Sequence, residues 1–195
     1  MALVDRARNM IVRPAFEWPI VAMESTVPST LYTGYVIPLA LIGPICALAS
    51  NAVFLGHPIV GLVTAALSFA LELAYVFLAA LIAQALAPNF GGANDRLAGL
   101  KWIAYGYTPR WVAGIALLIP IFGSLILLVA SLYSLYVLYL GAGPVMRVPQ
   151  DKTIGFVAVV VIVLIVIGII VSAIIGIAAA AVLVATGASM GAFSH

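Results

Sequence analysis

The chain has 195 residues, 66% of them hydrophobic and 7% charged, with a net charge of +2. That leaves too little polar surface to coat a soluble globule, so a bilayer is the solvent this composition suits. The small charge argues against nucleic acid as a partner, and Cys46, the single cysteine, excludes an intramolecular disulfide or a thiolate metal cluster.

Met1 to Ser29 carries Asp5, Arg6, Arg8, Arg13, Glu17 and Glu24 where a cleavable signal would need an apolar core, so the amino terminus is expected to be retained. Leu3, Val4, Ala7, Met10 and Ile11 recur at helical spacing between charges, predicting a short interfacial helix that Pro14 stops. Phe16, Trp18, Ile20 and Val21 form a second amphipathic piece, with Trp18 placed in the headgroup zone. Residues 1–30 therefore read as a cytoplasmic amphipathic segment.

The remainder predicts an all-α integral membrane protein with five transmembrane helices, plus short interfacial helices, over residues 31–184. The first span covers roughly 35–54, kinked by Pro38, Gly43 and Pro44, and the second roughly 59–86, ended by Pro88. A polar loop from Asn89 to Arg110 follows. In it Leu97, Leu100, Ile103 and Ala104 share a face opposite Asp95, Arg96 and Lys101, which predicts a helix lying on the cytoplasmic surface. A single helix from Trp111 to Met146 would be about 54 Å long against a hydrocarbon core of about 30 Å, so it must fold back at Pro120 and Gly123. This yields a short third span over 111–122, for which a re-entrant hairpin is the alternative, and a fourth over 124–145. The fifth covers 153–184, and residues 185–195 form a tail.

All eight Lys and Arg residues fall into three clusters: Arg6, Arg8 and Arg13; Arg96, Lys101 and Arg110; Arg147 and Lys152. Basic residues beside membrane spans stay in the cytoplasm, so the clusters predict a cytoplasmic amino terminus and an external tail.

Glu72, mid-way along the second span, is the most expensive residue to place in lipid and must be protonated, paired or facing water. Ser68 and Tyr75 share its helical face, and Gln84 lies about three turns nearer the cytoplasm. Tyr133, Tyr136 and Tyr139 stripe the fourth span, and Tyr133 or Tyr136 is the expected hydrogen-bond partner of Glu72. These seven residues form a candidate polar seam. Gly168, Ser172, Gly176 and Ala180 form a small-residue row suited to close helix packing, within the chain or against a second copy. Gly187, Ser189 and Gly191 match a nucleophile-elbow spacing but lack its strand-turn-helix context. With His57 and His195 far apart and no phosphate loop, no catalytic residue, metal site or cofactor is expected.

The runs KWIAYGYTPRW from Lys101 and YSLYVLYLGAGPVMRVPQDKTIGF from Tyr133 resemble the Yip1-domain family, in particular its short bacterial branch. Pro14, Glu17, Trp18, Glu24 and the run LYTGYVIPLALIG are similar too. The resemblance implies a five-helix bundle with a cytoplasmic amino terminus and an external carboxyl terminus. Eukaryotic members are linked to Rab-type small GTPases and vesicle traffic as adaptors without known catalysis. This chain departs from them in having only about 30 residues before its first span.

The leading expectation is a non-enzymatic adaptor or scaffold of the bacterial inner membrane. Its cytoplasmic surface would present Arg96, Lys101, Tyr105, Tyr107, Arg110, Arg147, Asp151 and Lys152. Its partners would be the lipid bilayer, a membrane or peripheral protein, or a second copy. The alternative is a small-solute or proton-coupled transporter or channel with a path along Glu72.

Overall fold

The computed structural model describes residues 2–119 and 122–186, and its regular structure there is entirely helical. Pro120 and the tail motif of Gly187, Ser189, Gly191 and His195 lie outside the described residues. Four helical runs are long and apolar enough to cross a membrane: Pro28–Phe54, Pro58–Phe90, Phe122–Met146 and Gln150–Ala185. The protein is an integral membrane protein.

The amino-terminal segment forms a helical hairpin, α1 (Leu3–Val12) and α2 (Pro14–Met23). Proline can open a helix because its missing N–H would be unpaired there, so Pro14 both ends α1 and starts α2. The hairpin turns Arg6 and Glu17 inward and leaves Asp5, Arg8 and Arg13 exposed. Arg6 and Glu17 are only 5% and 3% exposed, while Val4, Val12, Phe16, Ile20 and Met23 face outward. Trp18 is fully buried against α9 and not exposed to lipid headgroups, its indole N–H donating to the Val137 carbonyl at 2.9 Å.

The first membrane run is assembled from α3 (Pro28–Leu31), α4 (Ile37–Ala40) and α5 (Ile42–Ser50), with π-helical turns at Tyr32–Val36 and Asn51–Leu55. Pro38 and Pro44 offer no N–H to the carbonyls one turn back, and the π turn before Pro38 and the break at Leu41 absorb that loss. Gly56, at φ 67°, turns the chain into α6 (Pro58–Leu86), which continues as a 3₁₀ turn over Ala87–Phe90.

The helix α7 (Arg96–Gly106), opened by the Asp95 carboxylate accepting from the Leu97 and Ala98 amides, is buried from Ala98 to Gly106 and does not lie on the surface. Gly99, Trp102 and Gly106 complete the circumference that Leu100, Ile103 and Ala104 begin, so apart from Arg96 and Lys101 the helix is apolar or small nearly all round. Such a helix is buried. It continues through α8 (Thr108–Ala113) into a 3₁₀ turn, Gly114–Leu118.

This path runs antiparallel to α6. A Cβ at Gly99 would lie 2.6 Å from the Ala80 carbonyl, the Tyr107 hydroxyl meets that of Tyr75, and Trp111 reaches Glu72. Beyond them Gly114 abuts Gly43 of α5. The expected surface helix and the expected short span over 111–122 are therefore parts of one broken path, Arg96 to Leu118.

The chain returns along α9 (Phe122–Met146) and leaves along α10 (Gln150–Ala185). Between them the turn at Arg147, whose φ is 58°, meets the loop after α6: the Ala93 amide donates to the Met146 carbonyl at 2.9 Å. Phe156 of α10 packs on Phe90 and Trp102, joining that loop to the core.

Candidate intramembrane site

Two polar clusters lie inside the bundle. The first joins the hairpin to α7. The Arg6 guanidinium pairs with Glu17 and Glu24 at 2.5 Å each and lies 5.6 Å from the centre of the Tyr105 ring. The Lys101 ammonium, 6% exposed, donates to the Val21 carbonyl at 3.0 Å and to the Glu24 carbonyl. It thus caps the carboxyl end of α2, where carbonyls lack intrahelical partners. Tyr105 stacks edge-on against Tyr35, whose hydroxyl bonds that of Thr108 at 2.7 Å. Lys101, Tyr105 and Tyr107 are buried inside the protein and do not line a cytoplasmic surface.

The second cluster surrounds Glu72. Its Oε1 accepts from the Trp111 indole at 2.8 Å and lies 3.8 Å from the Arg110 guanidinium. The tyrosine stripe does not supply its partner: the Tyr133 hydroxyl donates to the Ile11 carbonyl at 2.7 Å, and Tyr136 is exposed. Arg110 is instead the cation that faces Glu72, placed beside it where α8 passes α6, with its side chain still 35% exposed. Nearby, Tyr75 bonds Tyr107 at 2.9 Å and donates to the Leu164 carbonyl at 3.1 Å. Gln84 belongs elsewhere, donating to Asn94 in the loop at 2.7 Å.

This cluster closes one end of a cavity of about 960 Å³ between α4, α5, α6, α8, α9 and α10. Its walls are mainly Leu, Ile, Ala and Gly, with Ser68, Ser131, Ser134 and Ser172 among them. Ser68 and Ser131 are satisfied by their own helices, bonding the Ala65 and Leu127 carbonyls. Ser134 is not: it is 3% exposed, and its hydroxyl has no hydrogen-bond partner among the described residues.

With the bundle and its clusters placed, the comparison with known families is decisive. A protein-family model, the Yip1 domain, matches residues 8–173. The chain belongs to the Yip1-domain family. The match runs from within α1 into α10, so it takes in Glu17, Glu24 and Lys101 of the first cluster, the Glu72 cluster and most of the cavity-lining helices, while Arg6 precedes it. No curated protein and no solved structure matches the chain.

This Yip1-domain protein keeps its remaining expected surface residues together at one end. Arg96, Arg147, Asp151 and Lys152 are exposed on the loop and turn that the Ala93 to Met146 bond joins. Tyr139 is half-buried nearby on α9. The row of Gly168, Ser172, Gly176 and Ala180 does not pack inside the chain: a Cβ at Gly168 or Gly176 would meet nothing within 4 Å, and Ser172 and Ala180 are exposed. Spacing alone missed the importance of Arg6, Arg110 and Trp111. For Arg110 there was a signal, since it is the only Arg or Lys within the run from Tyr105 to Leu118.

Proposed function

We propose that the protein is a non-enzymatic scaffold of the bacterial inner membrane, with its amino terminus cytoplasmic and its tail external. The broken path from Arg96 to Leu118 supplies a fifth crossing, since it accompanies α6 from Gln84 to beyond Glu72 and then reaches α5. The observation that carries the scaffold reading is the use of charge. Arg6, Glu17, Glu24 and Lys101 are consumed in bracing the hairpin, and Glu72 and Arg110 face each other, an arrangement with no nucleophile and base poised for chemistry.

What remains for a partner is an exposed rim of Arg96, Arg147 and Lys152, together with a hairpin that shows Arg8, Arg13 and the outward Phe16, Ile20 and Met23. Such a surface suits anionic headgroups or an acidic peripheral protein. A second copy is the partner that Gly176 and Ala180, exposed on α10 beyond the cavity, suit. The test is purification in mild detergent after reversing the charge of Arg96, Arg147 and Lys152 together. Loss of the co-purifying partners with an unaltered elution profile supports the rim, and an unchanged partner set removes it.

A further inference from the structure

The cavity beside Glu72 ends in polar capacity that the protein itself does not use. Arg110 has five N–H donors, yet among the described residues it makes only the 3.8 Å contact with Glu72 and lies over the Tyr107 ring at 5.8 Å. Glu72 accepts one bond, from Trp111, leaving its second oxygen open among the described residues. Ser134 adds an unpartnered buried hydroxyl. It stands at the level of Arg110, because a Cβ at Gly106 would meet Leu138 and each residue is one turn further along antiparallel helices. Buried polar groups normally find partners, so the orphaned Ser134 hydroxyl, on a cavity that the partly open Arg110 guanidinium and Glu72 carboxylate also line, points to a ligand that engages all three.

The shape and charge define that ligand. Above the polar end the walls are hydrocarbon, contributed by residues such as Leu128, Leu135, Ile165 and Ile169, and the volume of about 960 Å³ is at the upper end for small-molecule sites. A lone anion on Arg110 would be repelled by Glu72, and a lone cation on Glu72 by Arg110. A head bearing both charges matches both.

We propose that the cavity binds one zwitterionic phospholipid bearing a primary ammonium. Its phosphate accepts from Arg110 and Ser134, its ammonium donates to Glu72, and its chains lie along the apolar walls. Glu72 sits mid-way along α6, so the bound head is withdrawn from the interface and the protein supplies the polar contacts that hydrocarbon lacks. The site is independent of the scaffold reading, since it uses neither the rim nor the hairpin.

The experiment is native mass spectrometry of the delipidated full chain in detergent, titrated with phosphatidylethanolamine and phosphatidylglycerol of identical chains. The expected result is a preference for phosphatidylethanolamine of about ten-fold, the worth of one charge-assisted contact. Glu72→Gln and Arg110→Gln should each erase that preference. Gly168→Leu places a side chain in the open cavity without displacing any neighbour, and should lower retention of both lipids while elution stays unchanged. Equal retention of the two lipids by the parent protein overturns the proposal. So does a preference that persists in the charge variants, or a Gly168→Leu protein that binds as the parent does. The last variant decides the matter even if the charge variants do not fold.

Discussion

Arg6 illustrates how a charged residue in an apolar protein is used. Its guanidinium is bound by two carboxylates, 11 and 18 positions along the chain, and covered by Tyr105. Removing the buried Glu17 charge leaves Arg6 with Glu24 alone, whose side chain is 37% exposed. Glu17→Gln is therefore expected to destabilise the protein by about 1–3 kcal/mol. An exposed control, Asp5→Asn, should stay within about 0.5 kcal/mol. Unfolding of both variants in detergent measures the difference, and equal stabilities would show that the pair contributes nothing net. None of these partners was legible in the sequence. Arg6 and Glu17 lie on opposite sides of the Pro14 break, so helical spacing does not link them, and Trp18 was assigned to headgroups because its burial depends on a carbonyl 119 positions away.

Among the elements, α7 was found in the sequence at nearly the right place but with the wrong surroundings. Four apolar positions on one side describe an amphipathic helix, and that pattern gives no weight to Gly99 and Gly106. They are contact sites. Gly99 lets α7 approach the α6 backbone so closely that a Cβ would sit 2.6 Å from the Ala80 oxygen. Gly99→Leu is expected to cost about 1–3 kcal/mol or more through overpacking. Gly168→Leu, which meets open space, should leave thermal stability in detergent nearly unchanged. Comparable losses in both would mean that backbone approach at Gly99 is not what holds α7. The long helices were the easier inference: α6 and α10 begin and end within three residues of their expected limits, because a run of apolar residues bounded by proline or polar groups has few alternatives in lipid.

For the bundle as assembled, sidedness remains the property to test. In a Cys46→Ser background, Arg96→Cys and Arg147→Cys should react with an impermeant thiol reagent from the same side of sealed vesicles, and Thr186→Cys from the other. Arg96 and Arg147 reacting from opposite sides would overturn the arrangement. Membrane residence, the long helices and the family were readable from the chain, because hydrophobic length and local motifs are properties of neighbouring residues. The burial of α7, the conversion of Arg110 from a sidedness marker into the partner of Glu72, and the cavity with its orphaned serine were settled by packing. Each depends on residues brought together from segments far apart in the chain, and a one-dimensional pattern carries no record of which helix lies next to which.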